Sequence, residues 1–363
     1  MIYLLNLLFV PLYYCIIKGT FRERKKANKL FATIACIHAV LFRALANPYN
    51  YVDAGWYFLG YYDMAKMSIL DLFSPFNPYI DWGVGFDLLT WTLGQFFNNP
   101  VILYIIVALL SLIPLFWLYF KLSSNLFLTL LIFFVYPMMY LHGFGVIRQH
   151  LAVTIVLLSL FFVDKKWLSL LLALLALTIH TSAIVFFPYY LWRKLPFRKL
   201  SIKRALIYVL GGVVIGRMLF TPILSSLDRY SELLTSTENS NNIVPVFFIG
   251  GLVFLCFIQR LNNKLKGIRF EMLNFCFYGL AVSFFCIGIP GMGRLTLFFL
   301  YVVPIVITYL FLYSKRQFLN YSFLICVFVM VIVLRGIDFS KRNSFNYNYS
   351  FFWEKSTTLK NYL

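Results

Sequence analysis

The chain has 363 residues, of which 61% are hydrophobic and 12% are charged, and its mean hydropathy is +0.81. Soluble domains are about 45–50% apolar and about 25% charged, so this composition excludes a soluble enzyme, a disordered chain and a secreted disulfide scaffold; it indicates a polytopic, all-α membrane protein. The net charge of +19, from 32 basic and 13 acidic residues, must be explained by where the basic residues lie.

Long apolar runs predict about ten transmembrane helices, because each span needs roughly 20 apolar residues. The first run has no basic segment before it and no small-residue cleavage site after it, so we expect no cleavable signal peptide. All six cysteines fall within apolar runs without a Cys-x-x-Cys pair, so neither a disulfide nor a metal site is indicated. The predicted spans are 2–17, 29–45, 101–120, 126–141, 150–163, 205–220, 243–259, 271–289, 295–313 and 318–334.

A further apolar run, 167–192, is interrupted near its middle by threonine, histidine and serine. The positive-inside rule places loops rich in lysine and arginine in the cytoplasm. The basic loops 18–29, 193–204 and 260–269 all face the cytoplasm only if 167–192 enters the membrane and returns to the same side. We therefore predict a broken helical hairpin with His180 near its tip, since non-helical backbone at that depth must be buried in protein or line a wet cavity. The alternative is one long tilted helix.

This topology places both termini on the outer side of the membrane and predicts a single integral membrane domain, residues 1–363. The largest outer segment, 46–99, contains two amphipathic stretches with many aromatic side chains, which suit a membrane interface. The other long outer segment is the C-terminal tail, 335–363. The sequence shows neither a soluble domain nor an internal repeat.

The basic residues divide into two groups. Most lie in the predicted inner loops, where they orient the chain, but the outer ends of the spans use arginine almost alone. Arginine has a planar fork that binds phosphate oxygens through two hydrogen bonds, and it tolerates partial burial better than lysine does. Arg148 and Arg294 are the first candidates for binding phosphate, because each lies in a glycine-containing break, and Arg217 and Arg43 come next. Snorkelling of these side chains to lipid headgroups is the alternative.

Histidine and aspartate supply the candidates for proton transfer. His180 lies at the predicted hairpin tip, and a neutral imidazole can act as a general base near pH 7. Asp53 follows the second span, where a carboxylate can accept a proton from a sugar hydroxyl or cap a helix, and Trp56 and Tyr57 can stack on sugar faces. The sequence has no zinc-binding cluster, Walker A motif or dinucleotide-binding glycine motif, so we expect neither a metal nor a cofactor.

Four elements, in order along the chain, resemble those of the EpsG-like and Wzy-type polysaccharide polymerases of bacterial envelopes. They are an aspartate followed by tryptophan and tyrosine (53–62), an Arg-Gln-x-Leu-Ala sequence (148–152), a His-x-Ser-Ala sequence (180–183) and an Arg-Leu-x-x-x-Phe sequence (294–299). Together they cover most of the chain. In the stretch DWGVGFDLL, Asp81 stands where many relatives have the glutamate of a Glu-x-Gly sequence.

The resemblance implies a membrane glycosyltransferase of the multi-spanning GT-C class at the outer face of the bacterial inner membrane. Its substrates would be oligosaccharide repeat units carried on undecaprenyl pyrophosphate, with membrane lipid and a chain-length regulator as further partners and no nucleic acid. A hydroxyl of one unit attacks the anomeric carbon of the growing chain, and undecaprenyl pyrophosphate leaves. Arginines can stabilise that leaving group. The expected roles are pyrophosphate binding by Arg148, Arg294, Arg217 and Arg43, proton acceptance by His180 or Asp53, and sugar binding by Trp56, Tyr57, Asp81 and Gln149.

Three other functions fit part of the pattern. A transporter of the lipid-linked saccharide would carry charges along a path through both leaflets, whereas the arginines outside the inner loops gather here on one side. An O-antigen ligase uses the same donor but resembles this order of motifs less. A membrane O-acyltransferase depends on histidine and acidic residues and would not need a cluster of arginines.

Overall fold

The protein is described by a computed structural model. It covers residues 2–74, 83–136, 138–195, 243–286, 292–340 and 350–353, with positions 210, 211, 214 and 218. These residues are mainly helical and include no β-strand; Ala46 and Phe351 form an isolated β-bridge. Tertiary contacts divide the chain into a first unit, residues 1–183 with 330–363, and a second unit, residues 184–329. The single membrane domain expected from the sequence stays a prediction.

Helices α1 to α8 form most of the first unit. Helix α7 packs between α5 and α8, α2 packs against α1 and α5, and α3 pairs with α4. Short 3-10 turns occupy Pro48–Asn50, Asp71–Phe73 and His142–Phe144. The helices are α1 (Ile2–Thr20), α2 (Arg24–Ala44), α3 (Val52–Lys66), α4 (Val84–Phe96), α5 (Val101–Leu122), α6 (Leu126–Val135), α7 (Ile147–Phe161) and α8 (Lys166–Ile179). The predicted outer segment, 46–99, thus contains two helices of its own.

The second unit is built around α11, which packs against α10 and α12 and against the 3-10 turn Met292–Thr296. Its aromatic side chains fill the interior of this unit. The structure also describes two four-residue helices, Leu261–Lys264 and Leu297–Leu300, and the longer helices α9 (Phe187–Trp192), α10 (Ile243–Ile258), α11 (Ile268–Phe285), α12 (Val303–Tyr313) and α13 (Gln317–Ser340).

Most helices follow the predicted spans, but the helix in the span 126–141 ends at Val135. The span 205–220 lies almost wholly outside the described residues. Within the described ranges, four helices are long and apolar enough to cross a membrane, and shorter apolar helices accompany them. They are Arg24–Ala44, Val101–Leu122, Ile268–Phe285 and the helical stretch Arg294–Tyr313, which joins a 3-10 turn and two helices. This confirms an all-helical chain of membrane-protein character. The count of about ten spans stays a prediction.

The span predicted at 295–313 is not one regular helix. A 3-10 turn leads into a short helix, Leu297–Leu300, and a turn at Tyr301 and Val302 precedes α12. Pro304 lies in the first turn of α12. Proline has no backbone N–H to donate to the preceding turn, so it favours a helix start at this point over a continuous helix.

The run 167–192 is broken at His180, as the sequence predicts. Helix α8 ends at Ile179, and His180 has extended backbone angles (φ −153°, ψ 122°). A 3-10 segment, Thr181–Phe186, then leads into α9. One continuous helix is therefore excluded. The return of this run to the same side of the membrane stays a prediction.

In the first unit, some helix ends that are predicted to lie on the same side of the membrane lie close together. Lys29, near the start of α2, and Lys121, near the end of α5, line the same groove, which has a volume of about 800 Å³. Segments predicted to lie outside also meet, since Asn47 donates its backbone N–H to the Ser350 carbonyl over 2.8 Å. The C-terminal tail therefore contacts the start of the 46–99 segment.

In the second unit, loops predicted to lie inside meet at one end. Arg193 pairs with Glu271 at the start of α11, with 3.1 Å between Nη2 and Oε1. Lys264 donates to the backbone carbonyl of Tyr313 at the end of α12 over 2.8 Å. Arg193 and Lys264, both in predicted inner loops, thus contact the start of α11 and the end of α12. The side of the membrane on which they lie stays a prediction.

Candidate functional site

The predicted site residue with the most distinctive surroundings is Arg148, in the first turn of α7. Its Nε donates a hydrogen bond of 2.8 Å to the Tyr57 hydroxyl on α3. The centre of its guanidinium lies 5.0 Å from the centroid of the Tyr57 ring and 5.7 Å from that of the Phe86 ring on α4. Contacts of this kind stabilise a cation on aromatic faces. Three helices therefore hold Arg148 in place, and the side chain remains part-exposed.

Asp87 follows Phe86 in the first turn of α4 and is one of the five aspartates of the 46–99 segment. The side chain is 1% exposed, and among the described residues neither carboxylate oxygen has a hydrogen-bond partner. Burial raises the pKa of Asp87 to about 7, and the nearby positive charge of Arg148 acts in the opposite direction. Burying an unpaired carboxylate destabilises a fold, so such groups are typical of functional sites. Five aspartates in the 46–99 segment look alike in sequence, and only packing distinguishes this one.

Two glycines bring the start of α4 against the end of α8. Gly83 has φ +96°, a conformation that favours glycine. A Cβ atom on Gly83 would lie 2.6 Å from the Thr178 carbonyl oxygen, and one on Gly85 would overlap the Thr178 side chain. This contact fixes the start of α4 against the end of α8, next to His180. Asp87 lies one turn further along α4.

His180 is tied to its own turn. Its Nδ1 accepts hydrogen bonds from the Ser182 backbone N–H at 3.2 Å and from the Ser182 hydroxyl at 2.7 Å. A backbone N–H can only donate, so Nδ1 carries no proton and the neutral ring bears its hydrogen on Nε2. The arrangement makes His180 a hydrogen-bond donor to any group that meets Nε2, whereas the sequence analysis expected a proton acceptor.

The remaining candidates in the 46–99 segment lie on or before α3 and α4. Asp53 is half-buried in the first turn of α3, where a negative charge stabilises a helix N-terminus. Trp56 is exposed, whereas Tyr57 is buried beneath Arg148. Asp81 lies outside the described residues. These positions leave the Trp56 ring accessible for contact with a ligand.

Arg43 lies in a buried network that is separate from the contacts of Arg148. The side chain is 2% exposed, and it donates to the Tyr140 backbone carbonyl at 3.0 Å and to the Ser111 hydroxyl at 3.5 Å. A Cβ atom on Gly143 would overlap its guanidinium. Arg43 therefore joins α2 and α5 to the turn that precedes α7. Gln149, next to Arg148, is also buried.

Arg294 lies in the second unit, in the 3-10 turn at the start of the Arg-Leu-x-x-x-Phe sequence, and is exposed. The phenylalanine of that sequence, Phe299, is fully buried against α11. A Cβ atom on Gly279 would lie 2.5 Å from the Phe299 Cβ, so the fit between the two is close. One end of this motif is thus anchored and the other presents an arginine. Arg217 lies outside the described residues.

The part of the chain that the structure describes contains no group of three or more histidine, cysteine, aspartate or glutamate side chains that could hold a metal ion. What it does contain is an aromatic-bound arginine at a helix N-terminus beside a buried carboxyl group. A helix N-terminus and a guanidinium both favour an anion. The arrangement can therefore bind a negatively charged group and exchange a proton next to it.

The family model described as EpsG family matches residues 33–351 of this chain. The matched range contains all four of the sequence elements described above, together with α3, α4, α7 and α8. No curated protein and no solved structure shows significant similarity to the chain.

Proposed function

Since the chain belongs to the EpsG family, which is related to the Wzy-type polymerases, we propose that it joins undecaprenyl-pyrophosphate-linked oligosaccharide repeat units into O-antigen or a related surface polysaccharide. Family membership and the apolar helices support a membrane protein of the polysaccharide-polymerase type. The proposal goes further in naming the substrate and the reaction.

The proposed reaction takes place at the periplasmic face of the bacterial inner membrane. A hydroxyl of one lipid-linked unit attacks the anomeric carbon of the growing chain, and undecaprenyl pyrophosphate leaves with the electron pair of the broken bond. Because the donor already carries this leaving group, no nucleotide sugar is consumed. In this proposal the protein is a GT-C-like glycosyltransferase with about ten spans and both termini outside, and a chain-length regulator and membrane lipid are its partners.

The observation that carries the proposal is the placement of Arg148. Its charge lies at the start of α7 and is held by Tyr57 and Phe86 without being fully buried. Preorganised cationic donors stabilise the charge that develops on a leaving pyrophosphate. We assign Arg148 to that role. Arg294, which is exposed in its own motif, remains a candidate pyrophosphate ligand from the sequence.

The other predicted residues take supporting roles in this proposal. Arg217 remains a candidate pyrophosphate ligand. Arg43 acts on the same group through the turn that it holds in front of α7. The exposed Trp56 ring stacks on the sugar. Tyr57 and Gln149 are predicted from the sequence to contact the sugar but are buried, so in this proposal they support Arg148 and its helix. Asp81 remains a candidate sugar ligand, and the sequence offers His180 and Asp53 for proton transfer.

Deletion of the gene tests the class of function. A polymerase mutant should accumulate surface lipid that carries a single repeat unit. Loss of all repeats would indicate a transporter or a ligase instead, and chains of normal length without acetyl groups would indicate an O-acyltransferase.

Arginine variants test the site in the complemented deletion strain. Arg148→Ala and Arg294→Ala, expressed at normal levels, should abolish chain extension, and Arg148→Lys should restore little because lysine lacks the Nε donor and the planar fork. Arg22→Ala is the matched control, since Arg22 is exposed in a predicted inner loop. Normal chain lengths in both Arg148→Ala and Arg294→Ala would refute the phosphate-binding role.

Cysteine labelling tests the topology on which the outer site depends. In a cysteine-free background, a single cysteine between residues 195 and 200 should resist a membrane-impermeant thiol reagent added to intact spheroplasts. Trp353→Cys, at an exposed position in the predicted outer tail, should react. Labelling at 195–200 from outside would show that the run 167–192 crosses the membrane once.

A further inference from the structure

The buried carboxyl group of Asp87 is not explained by packing. In the described part of the first unit it receives no hydrogen bond, although it is 1% exposed. The Tyr57 ring on α3 packs against Phe86, the residue before Asp87, and the Arg148 guanidinium on α7 lies over both rings. The Arg148 cation beside this carboxylate is held by other groups. The carboxylate can therefore still accept a hydrogen bond or a proton on either oxygen.

We propose that Asp87 is the proton acceptor for the attacking sugar hydroxyl, an assignment that rests on the function proposed above. In this step the hydroxyl oxygen forms the new bond to the anomeric carbon while its proton moves to a carboxylate oxygen of Asp87. The bond from the anomeric carbon to the pyrophosphate oxygen breaks, and Arg148 stabilises the charge left on that group. Asp87 then releases the proton to water. The hydroxyl approaches from the side of Arg148, the part-exposed member of this cluster.

The geometry favours Asp87 over the two proton acceptors suggested by the sequence. The Nδ1 lone pair of His180 is occupied by Ser182, and Nε2 carries the hydrogen. Asp53 lies in the first turn of α3, where its carboxylate faces the N-terminal end of the helix. Asp87 has two oxygens without hydrogen bonds and lies beside the arginine assigned to the leaving group.

The way in which Arg148 is held keeps this carboxylate reactive. Its Nε is directed to the Tyr57 hydroxyl, and its guanidinium rests on two aromatic rings. A direct ion pair would lower the pKa of Asp87 and occupy both partners. Burial instead raises the pKa of Asp87 to about 7, and a general base is most effective when its pKa lies near the working pH.

The test uses the full-length protein and its natural substrate. Membranes of the deletion strain, which accumulate lipid-linked repeat units, are mixed with purified wild-type protein, Asp87→Asn, Asp87→Glu or the matched control Asp63→Asn. Asp63 is an exposed aspartate on the neighbouring helix α3. The readouts are the ladder of polymer lengths between pH 5.5 and 8.5, the binding of undecaprenyl pyrophosphate, and thermal stability in detergent.

We expect Asp87→Asn to lower the rate of polymerisation by about 10²–10⁴-fold, the usual contribution of a general base. Binding of undecaprenyl pyrophosphate should stay within about threefold of wild type, since Arg148 supplies that contact. Asp87→Glu should retain part of the activity with an altered acid limb of the pH profile, and Asp63→Asn should match wild type in every readout.

Two results would overturn the assignment while leaving the polymerase function intact. One is polymerisation by Asp87→Asn within about threefold of wild type, and the other is a loss of activity that comes with equal losses of ligand binding and thermal stability. If the wild-type protein itself extends no chains from these membranes, the proposed polymerase function is wrong, and the assignment of Asp87 is wrong with it.

Discussion

The contact between the start of α4 and the end of α8 should tolerate no side chain at Gly83. Gly83→Ala introduces two separate penalties. Alanine at φ +96° is strained, which costs about 1–3 kcal/mol. Its Cβ would also lie 2.6 Å from the Thr178 carbonyl oxygen, and overpacking of this kind costs about 1–3 kcal/mol. We expect destabilisation of about 2–6 kcal/mol and loss of polymerisation, because α4 and Asp87 must move.

Two other glycines separate these penalties. Gly267 also precedes a helix and has a positive φ (+54°), but a Cβ atom there would meet nothing within 4 Å. Gly267→Ala should therefore cost only the strain, about 1–3 kcal/mol. At Gly85 the backbone is helical, so alanine stabilises the helix by about 1 kcal/mol relative to glycine. Its Cβ would also overlap the Thr178 side chain, which opposes that gain. Gly85→Ala should accordingly destabilise by about 0–2 kcal/mol.

The assay is thermal unfolding of the purified variants in detergent, followed by size-exclusion chromatography, with Gly19→Ala as the baseline because nothing lies within 4 Å of a Cβ atom there. The expected order of stability is Gly19→Ala, Gly85→Ala, Gly267→Ala and then Gly83→Ala. Adding Thr178→Ala should rescue Gly85→Ala in part, since it removes the overlapping hydroxyl. It should not rescue Gly83→Ala, which meets the backbone. Equal stability of Gly83→Ala and Gly19→Ala would refute the close packing of α4 against α8.

Three further substitutions test buried or partly buried polar groups, and a fourth, Lys26→Gln, is an exposed control. Glu271→Gln removes the partly buried pair with Arg193 and should destabilise the protein by about 1–3 kcal/mol in thermal unfolding, whereas Lys26→Gln, in an exposed pair, should cost about 0.5 kcal/mol or less. Arg43→Met leaves a buried carbonyl without its donor, so we expect poor yield of folded protein; normal yield would contradict the network. The pKa of Asp87 is raised in the fold, so ionisation of this group destabilises the native state as the pH rises from 4 to 7. Asp87→Asn should therefore match wild type in thermal stability at pH 4 and exceed it at pH 8.

Most of the helical architecture could be predicted because apolar length determines where a chain crosses a membrane. The polar interruption at His180 likewise located a real break, since α8 ends one residue earlier. The irregular region before α12 could not be predicted from hydropathy, because a 3-10 turn and a helix bury the same apolar residues. Pro304 was the available signal, since it cannot continue the hydrogen bonding of a preceding helix.

The candidate site was predicted only in part. Arg148 stood out because of its motif and its glycine-containing break, and its contact with Tyr57 joins two residues that lie 91 positions apart. A single sequence does not show that two residues so far apart along the chain are in contact. Asp87 was not distinguished from the other aspartates of the 46–99 segment for a related reason. It differs in being a buried carboxylate without a hydrogen bond among the described residues, and its burial depends on the elements that pack against α4.

Arg43 and Arg148 show why residue type and membrane side are not enough to assign a role. Both are arginines at the predicted outer ends of spans, and both lie against aromatic rings. Arg43 is buried and donates to a backbone carbonyl, so its removal should first affect folding. Arg148 is part-exposed at a helix N-terminus, so its removal should first affect ligand binding. Comparing the yield of folded protein with the affinity for undecaprenyl pyrophosphate in the two alanine variants separates these roles. If Arg148→Ala fails to fold and Arg43→Ala folds but loses the ligand, the assignment of the two arginines is reversed.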